Sequence, residues 1–186
     1  MRIETARLVL RRWLPGDAEA LAEIHAHPAV AAHLDPKTRD DTVAMVARYE
    51  HHWEEYGFGR FAVEDRRTGL LVGRVGVMRQ PEWSATEEVG WTIAHNRWGE
   101  GLAAEAARAT IADVFERVGL PRIVSWTTPD NVASRRVMDK CGLRYRGTVD
   151  WKGVDYVWYD LQADERLGAW LQPRPFDLSD GSDGRG

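Results

Sequence analysis

Residues 87–118 read E-E-V-G-W-T-I-A-H-N-R-W-G-E-G-L-A-A-E-A-A-R-A-T-I-A-D-V-F-E-R-V, and the hydrophobic period changes once within them. Val89, Trp91 and Ile93 alternate with smaller or polar neighbours, the two-residue period of a half-buried strand ending near His95. From Leu102 the period lengthens. Ala103, Ala107, Ile111, Val114 and Val118 fall on one helical face, with Glu105, Arg108, Asp113 and Glu116 on the other. Gly119 in a C′ position and Pro121 beyond it stop the helix. Between strand and helix lies R-W-G-E-G-L-A. Gly99 and Gly101 let the backbone turn tightly and approach a ligand, and the free N–H groups of the first helical turn suit a pyrophosphate. An ordinary glycine turn is the alternative reading. Neither common nucleotide loop is present, because the G-x-x-x-x-G-K-[ST] lysine and hydroxyl and the third glycine of G-x-G-x-x-G are missing.

Outward from this stretch, V-G-W-T-I-A-H-N-R-W-G-E-G-L-A-A-E-A resembles the acetyl-coenzyme A signature of the GNAT superfamily of N-acyltransferases, and within it the RimJ/RimL-type branch. The family's loop is [Gln/Arg]-x-x-G-x-[Gly/Ala]; Gly101 and Ala103 match it, and Trp98 stands where Gln or Arg is commoner. Downstream, N-V-A-S-R-R-V-M-D-K-C-G-L, Asn131 to Leu143, resembles the family's N-x-x-S-x-x-x-x-x-x-x-G-[Phe/Leu] segment. The likeness extends over roughly residues 3–161.

The resemblance implies a mixed α/β (α+β) GNAT fold with a central, mostly antiparallel sheet flanked by helices. It implies acetyl-CoA as co-substrate; from the histidine spacing, no metal is expected. The loop residues Trp98, Gly99, Glu100, Gly101, Leu102, Ala103 and Ala104 would hold the pyrophosphate, the backbone of Trp91, Thr92 and Ile93 the pantetheine arm, and Asn131 would hydrogen-bond that arm.

The remaining elements follow in order. Residues 4–13 suit a first strand. Pro15-Gly16-Asp17 breaks it, and Asp17 can cap a helix over 18–26. Residues 27–41 read as a loop or short helical turns. Asp41 or Thr42 can cap a helix through Tyr56, with Val43, Val46, Ala47 and Trp53 among its apolar positions. Strands over 59–65 and 70–79 are joined by R-R-T-G. A strand over 122–128, a helix over 132–141 and strands over 145–150 and 154–161 complete one domain over 1–171, and a Pro/Ser/Asp/Gly tail, 172–186, reads as disordered.

Acetyl transfer to an amine requires a base, since a primary amine is mostly protonated at neutral pH. Glu87 and Glu88 begin the organising strand, and only one of them can face an acceptor cleft. Glu88 is the candidate, because Glu87 shares a face with the core residues Val89, Trp91 and Ile93. Both as solvated strand-end charges is the competing reading. The departing thiolate benefits from a hydrogen-bond donor, for which Ser134 is the candidate and Tyr159 or Tyr145 the alternatives; helix capping is the simpler role for Asn131 and Ser134.

A length of 186 residues with 44% apolar content suits one core. A net charge of −4 argues against nucleic-acid or anionic-membrane binding, and with no long apolar run or signal-peptide core the expectation is a cytoplasmic protein. The single cysteine, Cys141, reads as a buried thiol. The six histidines lack metal-ligand spacing, and among nine tryptophans Trp83, Trp98, Trp151 and Trp158 are candidates for an acceptor pocket. The acceptor is either a protein N-terminus or a small amine, a homodimer is left open, and a non-catalytic acyl-CoA-binding module is the alternative to an enzyme.

Overall fold

The structure, a computed structural model, describes residues 1–34, 38–80 and 86–165. Strands β1 (Arg2–Glu4) and β2 (Leu8–Arg11) precede helices α1 (Asp17–Ala26), α2 (Pro28–Ala31) and α3 (Arg39–Tyr56). Then come β3 (Arg60–Asp65), β4 (Leu71–Gln80), β5 (Thr86–Ile93), α4 (Leu102–Asp113) continued by a π turn over Val114–Val118, β6 (Arg122–Thr127), α5 (Val132–Lys140), β7 (Arg144–Trp151) and β8 (Val154–Gln162). All eight strands join one sheet in the order β1-β2-β3-β4-β5-β6-β8-β7. Every neighbouring pair is antiparallel except β5 and β6. This is the mixed α/β arrangement expected, a mostly antiparallel sheet flanked by helices.

The alanine-rich face of α4 packs on the middle of the sheet. Ala106, Ala107 and Ile111 are fully buried in one cluster with Val75, Val77 and Val89. Small side chains let the helix backbone approach the strands closely, and the larger Ile111 alone contributes about 1.5–3 kcal/mol by leaving water. A second cluster, with Met45, Val46 and Tyr49 of α3 over Ala62, covers the other side.

Three local expectations are corrected. The predicted first strand is two strands, because Thr5 turns the chain by accepting from the Leu8 N–H while its own hydroxyl donates to Glu105 of α4 at 2.6 Å. Asp17 does not cap α1. Gly16 holds the N-cap in a left-handed conformation, and the Asp17 carboxylate instead binds Arg11 at 2.6 and 3.1 Å. Helix α3 starts earlier than Asp41 because Thr38 and Asp41 form a reciprocal capping box, a T-x-x-D signature legible in the sequence. Its buried stripe is Thr42, Met45, Val46, Tyr49, His52 and Trp53, leaving Val43 and Ala47 exposed. The predicted tail and Trp83 lie outside the described residues.

His52 is held between two backbone groups, Nδ1 donating to Phe58 O at 2.7 Å and Nε2 accepting from Arg79 N at 3.0 Å. That pair of bonds demands the neutral ring, and burial pushes its pKa below the ordinary histidine value. The unfolded chain therefore binds the proton more readily, so stability is full above about pH 6.5 and falls as pH drops below it. The melting temperature should decline between pH 7 and 5, and His52→Gln, which cannot titrate, should flatten that part of the profile. An unchanged slope would remove His52 from the acid response.

The feature that makes a site is the parallel junction. β5 and β6 are in register only at Glu88 and Val124. Beyond that point, residues 90–93 and 125–128 of the two segments line cavities.

Candidate active site

The first cavity encloses about 530 Å³ at the C-terminal end of β5. β5 supplies Trp91, Thr92 and Ile93; the loop and first turn of α4 supply Trp98, Gly99 and Gly101 through Ala104; α5 and its cap supply Asn131 and Ser134. The loop is held from several directions. Trp98 Nε1 donates to Ile93 O at 2.7 Å, Arg97 binds Glu100 at 2.7 and 2.9 Å and Asp65 at 2.9 Å, and Arg7 Nη1 donates to Glu100 O at 2.8 Å. The backbone N–H of Thr68, followed by Arg97, holds the Asp65 carboxyl down to about 2, so the clamp stays charged at any physiological pH. Glu100 is turned into this clamp and does not line the cavity, contrary to its predicted place beside a ligand.

Three features of this cavity favour a long anionic ligand with amide groups. Gly101 caps α4 in a left-handed conformation without any side-chain cap, so the first-turn N–H groups stay open at the positive end of the helix. Arg136 and Lys140, one turn apart on α5, face the same space. Thr92 Oγ1 is buried there with no hydrogen-bond partner among the described residues, the kind of orphan that a bound ligand satisfies.

The second cavity, about 490 Å³, lies against β4, β5 and β6 and is polar. Glu88 faces it, with Arg60 Nη2 and Gln80 Nε2 (3.0 Å) both donating to Oε2 and Oε1 lying over Gly90. Arg60 is further anchored by donating from Nη1 to Gly76 O at 2.6 Å. Glu87 points the other way, pairs with Arg79 at 2.9 Å and lines neither cavity. His33, Leu34, Trp91, Asn131 and Ser134 line both cavities and so form the passage between them.

At α5 the capping role belongs to Asn131, whose Oδ1 accepts from Ser134 N at 3.1 Å. The Ser134 hydroxyl takes no part in that cap. Of the tyrosine alternatives, Tyr159 is buried with its hydroxyl accepting from Arg135 at 3.3 Å, Tyr145 is exposed and paired with Thr148, and neither lines either of these two cavities. Of the tryptophans proposed for an acceptor pocket, Trp98 lines the first cavity, while Trp151 and Trp158 line neither; Trp91 and Trp126 face the second. Cys141 is buried with its thiol pushed up to about 12 by desolvation, which leaves it inert as a nucleophile.

Sequence reasoning missed Arg60, Arg74, Gln80 and Tyr156 in the second cavity and Arg136 and Lys140 in the first. A signal existed for two of them. R-F-A-V at 60–63 and V-G-R-V-G-V at 72–77 each place a lone guanidinium inside an apolar strand, where a charge requires a partner.

The family profile described as "Acetyltransferase (GNAT) domain" matches residues 7–144. The chain is 31% identical over 149 residues to a Bacillus subtilis protein named as an uncharacterized N-acetyltransferase, YnaD, covering 79% of this chain and 85% of that one. An Agrobacterium tumefaciens acetyltransferase structure superposes with a TM-score of 0.78 at 26% identity, covering 87% of this chain and 94% of the other. A RimL ribosomal L7/L12 alpha-N-protein acetyltransferase, solved with coenzyme A, shares the fold with a TM-score of 0.73 at 16% identity over 87% of this chain and 98% of its own.

Proposed function

The chain belongs to the GNAT acetyltransferase family, and from that premise we propose that it moves an acetyl group from acetyl-CoA directly to a primary amine in a ternary complex, with a RimJ/RimL-like arrangement of sites. The observation that carries this reading is the meeting of the two cavities at Trp91, Asn131 and Ser134. Acetyl-CoA in the first cavity would lay its pyrophosphate on the first turn of α4 beside Arg136 and Lys140. Its pantetheine would run along Trp91–Ile93, where the Thr92 hydroxyl has no partner among the described residues. The amine would enter from the second cavity.

In the reaction the amine nitrogen bonds to the thioester carbonyl carbon, the C–S bond breaks, and the sulfur leaves with the electron pair. Glu88, directly or through one water, takes the proton the amine must lose. A backbone N–H near Trp91–Ile93 stabilises the developing oxyanion. The Ser134 hydroxyl donates to the departing sulfur. Release of free thiol is the test: with a panel of primary amines, amine-dependent thiol is expected, whereas acetyl-CoA binding with no thiol from any amine would reject transfer.

Because Asn131 carries the cap, Ser134→Ala should leave stability within about 0.5 kcal/mol. Turnover should drop about 10- to 100-fold, the range for losing one hydrogen bond to a charged group. Melting temperature and single-turnover rate on the same variant decide this. A loss confined to stability would return Ser134 to a structural role.

A further inference from the structure

Arg74 stands inside β4 and lines the second cavity, yet its Nε is buried with no hydrogen-bond partner and no carboxylate forms an ion pair with it among the described residues. Other arginines of the protein differ. Arg11 pairs with Asp17 and Glu64, Arg60 with Glu88, and Arg97 with Asp65 and Glu100. Among the described residues, the face of Tyr49 orients Arg74, 5.9 Å from the guanidinium carbon to the ring centroid. A cation–π contact positions a guanidinium without neutralising it. Burial also disfavours the charged form of Arg74, pushing its pKa down. A partly buried guanidinium is costly unless an anion accompanies it, and among the described residues the carboxylate that acts on it, Glu88, is already engaged by Arg60.

The charge around the cavity sharpens the point. Among the described residues, Arg48, Arg60 and Arg74 line it against the single carboxylate of Glu88, which Arg60 already engages. An amine acceptor arrives as an ammonium, and a cavity with excess positive charge repels it. A zwitterion is not repelled in the same way, because its own anion meets the uncompensated guanidinium. Arg74 is opposite Thr92 and Glu88 opposite Met78 across the β4–β5 pair. The two rows are four residues apart, about 13 Å at ~3.3 Å per residue, with both long side chains reaching inward. A volume of about 490 Å³ is in the range of small-molecule sites.

Resting on the transfer reading above, we propose that the acceptor is a small amine carrying a carboxylate, an amino acid in chemical class, whose carboxylate is seated by the guanidinium of Arg74 while its amine faces Glu88 and Ser134. The planar fork of arginine matches a carboxylate with two parallel hydrogen bonds, which makes Arg74 a specificity-determining residue.

The test pairs each common L-amino acid with its carboxamide and measures thiol release from acetyl-CoA by the full chain. For at least one pair the acid should exceed the amide about 10- to 100-fold in kcat/KM, the range expected for a charge-assisted contact. Arg74→Leu should abolish most of that advantage and Arg74→Lys should keep part of it, with acetyl-CoA affinity by calorimetry unchanged in both. The same acids are titrated into coenzyme A-loaded protein, so that binding is read without turnover. Carboxylate-dependent binding that Arg74→Leu removes, with no thiol released, would keep this assignment and sink the transfer reading. Equal turnover of acids and amides in the wild-type protein would do the reverse. An acid preference that survives in folded Arg74→Leu, peptide N-termini turned over ahead of free amino acids, or neither binding nor turnover of any amino acid would each overturn the proposal.

Discussion

Glu88→Gln should lower turnover by about 10²–10⁴-fold, the usual contribution of a positioned general base, while acetyl-CoA affinity stays near that of the unaltered protein. The structure adds a second consequence. Glu88 is also the partner of Arg60 in an ion pair whose side chains are only 11% and 5% exposed. Neutralising one member leaves a buried guanidinium without its counter-charge, which typically costs about 3–5 kcal/mol. Loss of activity alone therefore does not identify a base. The double variant Arg60→Met, Glu88→Gln removes the stranded charge, so most of the lost stability should return while turnover remains low. Recovery of activity together with stability would show that Glu88 is structural. A strong effect of Glu87→Gln would be equally damaging, because Glu87 pairs with Arg79 outside both cavities.

Gly101→Val should weaken acetyl-CoA binding about 10-fold or more, equivalent to ~1.4 kcal/mol or above. The reason is conformational. A Cβ at Gly101 would meet only Arg7 Nη2, at 3.8 Å, so there is room for a side chain. But φ is +79°, a left-handed conformation that strains a β-branched residue by about 1–2 kcal/mol. Relieving that strain would rotate the N–H groups that open α4 away from the pyrophosphate position. Gly101→Asn tolerates the left-handed region better and should bind more nearly as the unaltered chain does. Calorimetry on folded variants decides the matter: a Val variant with full affinity would mean that the loop is an ordinary turn.

Much of this protein is determined by local sequence. The change of period between Ile93 and Leu102 marks strand, loop and helix, because side chains alternate on a strand and recur every three or four residues on a helix. The N-x-x-S spacing places Asn131 and Ser134 together in the same way, and with the glycine loop it outlines the first cavity. What the sequence left undecided was set by contacts between distant segments. β6 lies beside β5 although a helix separates them in the chain, and the two strands are in register at one point only. Residues beyond that point line the two cavities, while Tyr145 and Tyr159, on β7 and β8, line neither. The pairing of Arg60 with Glu88, 28 residues away, and the isolation of Arg74 likewise depend on strand order and register. Periodicity tells which side of its own strand a charge occupies, but whether it finds a counter-charge depends on what the folded sheet brings across from it.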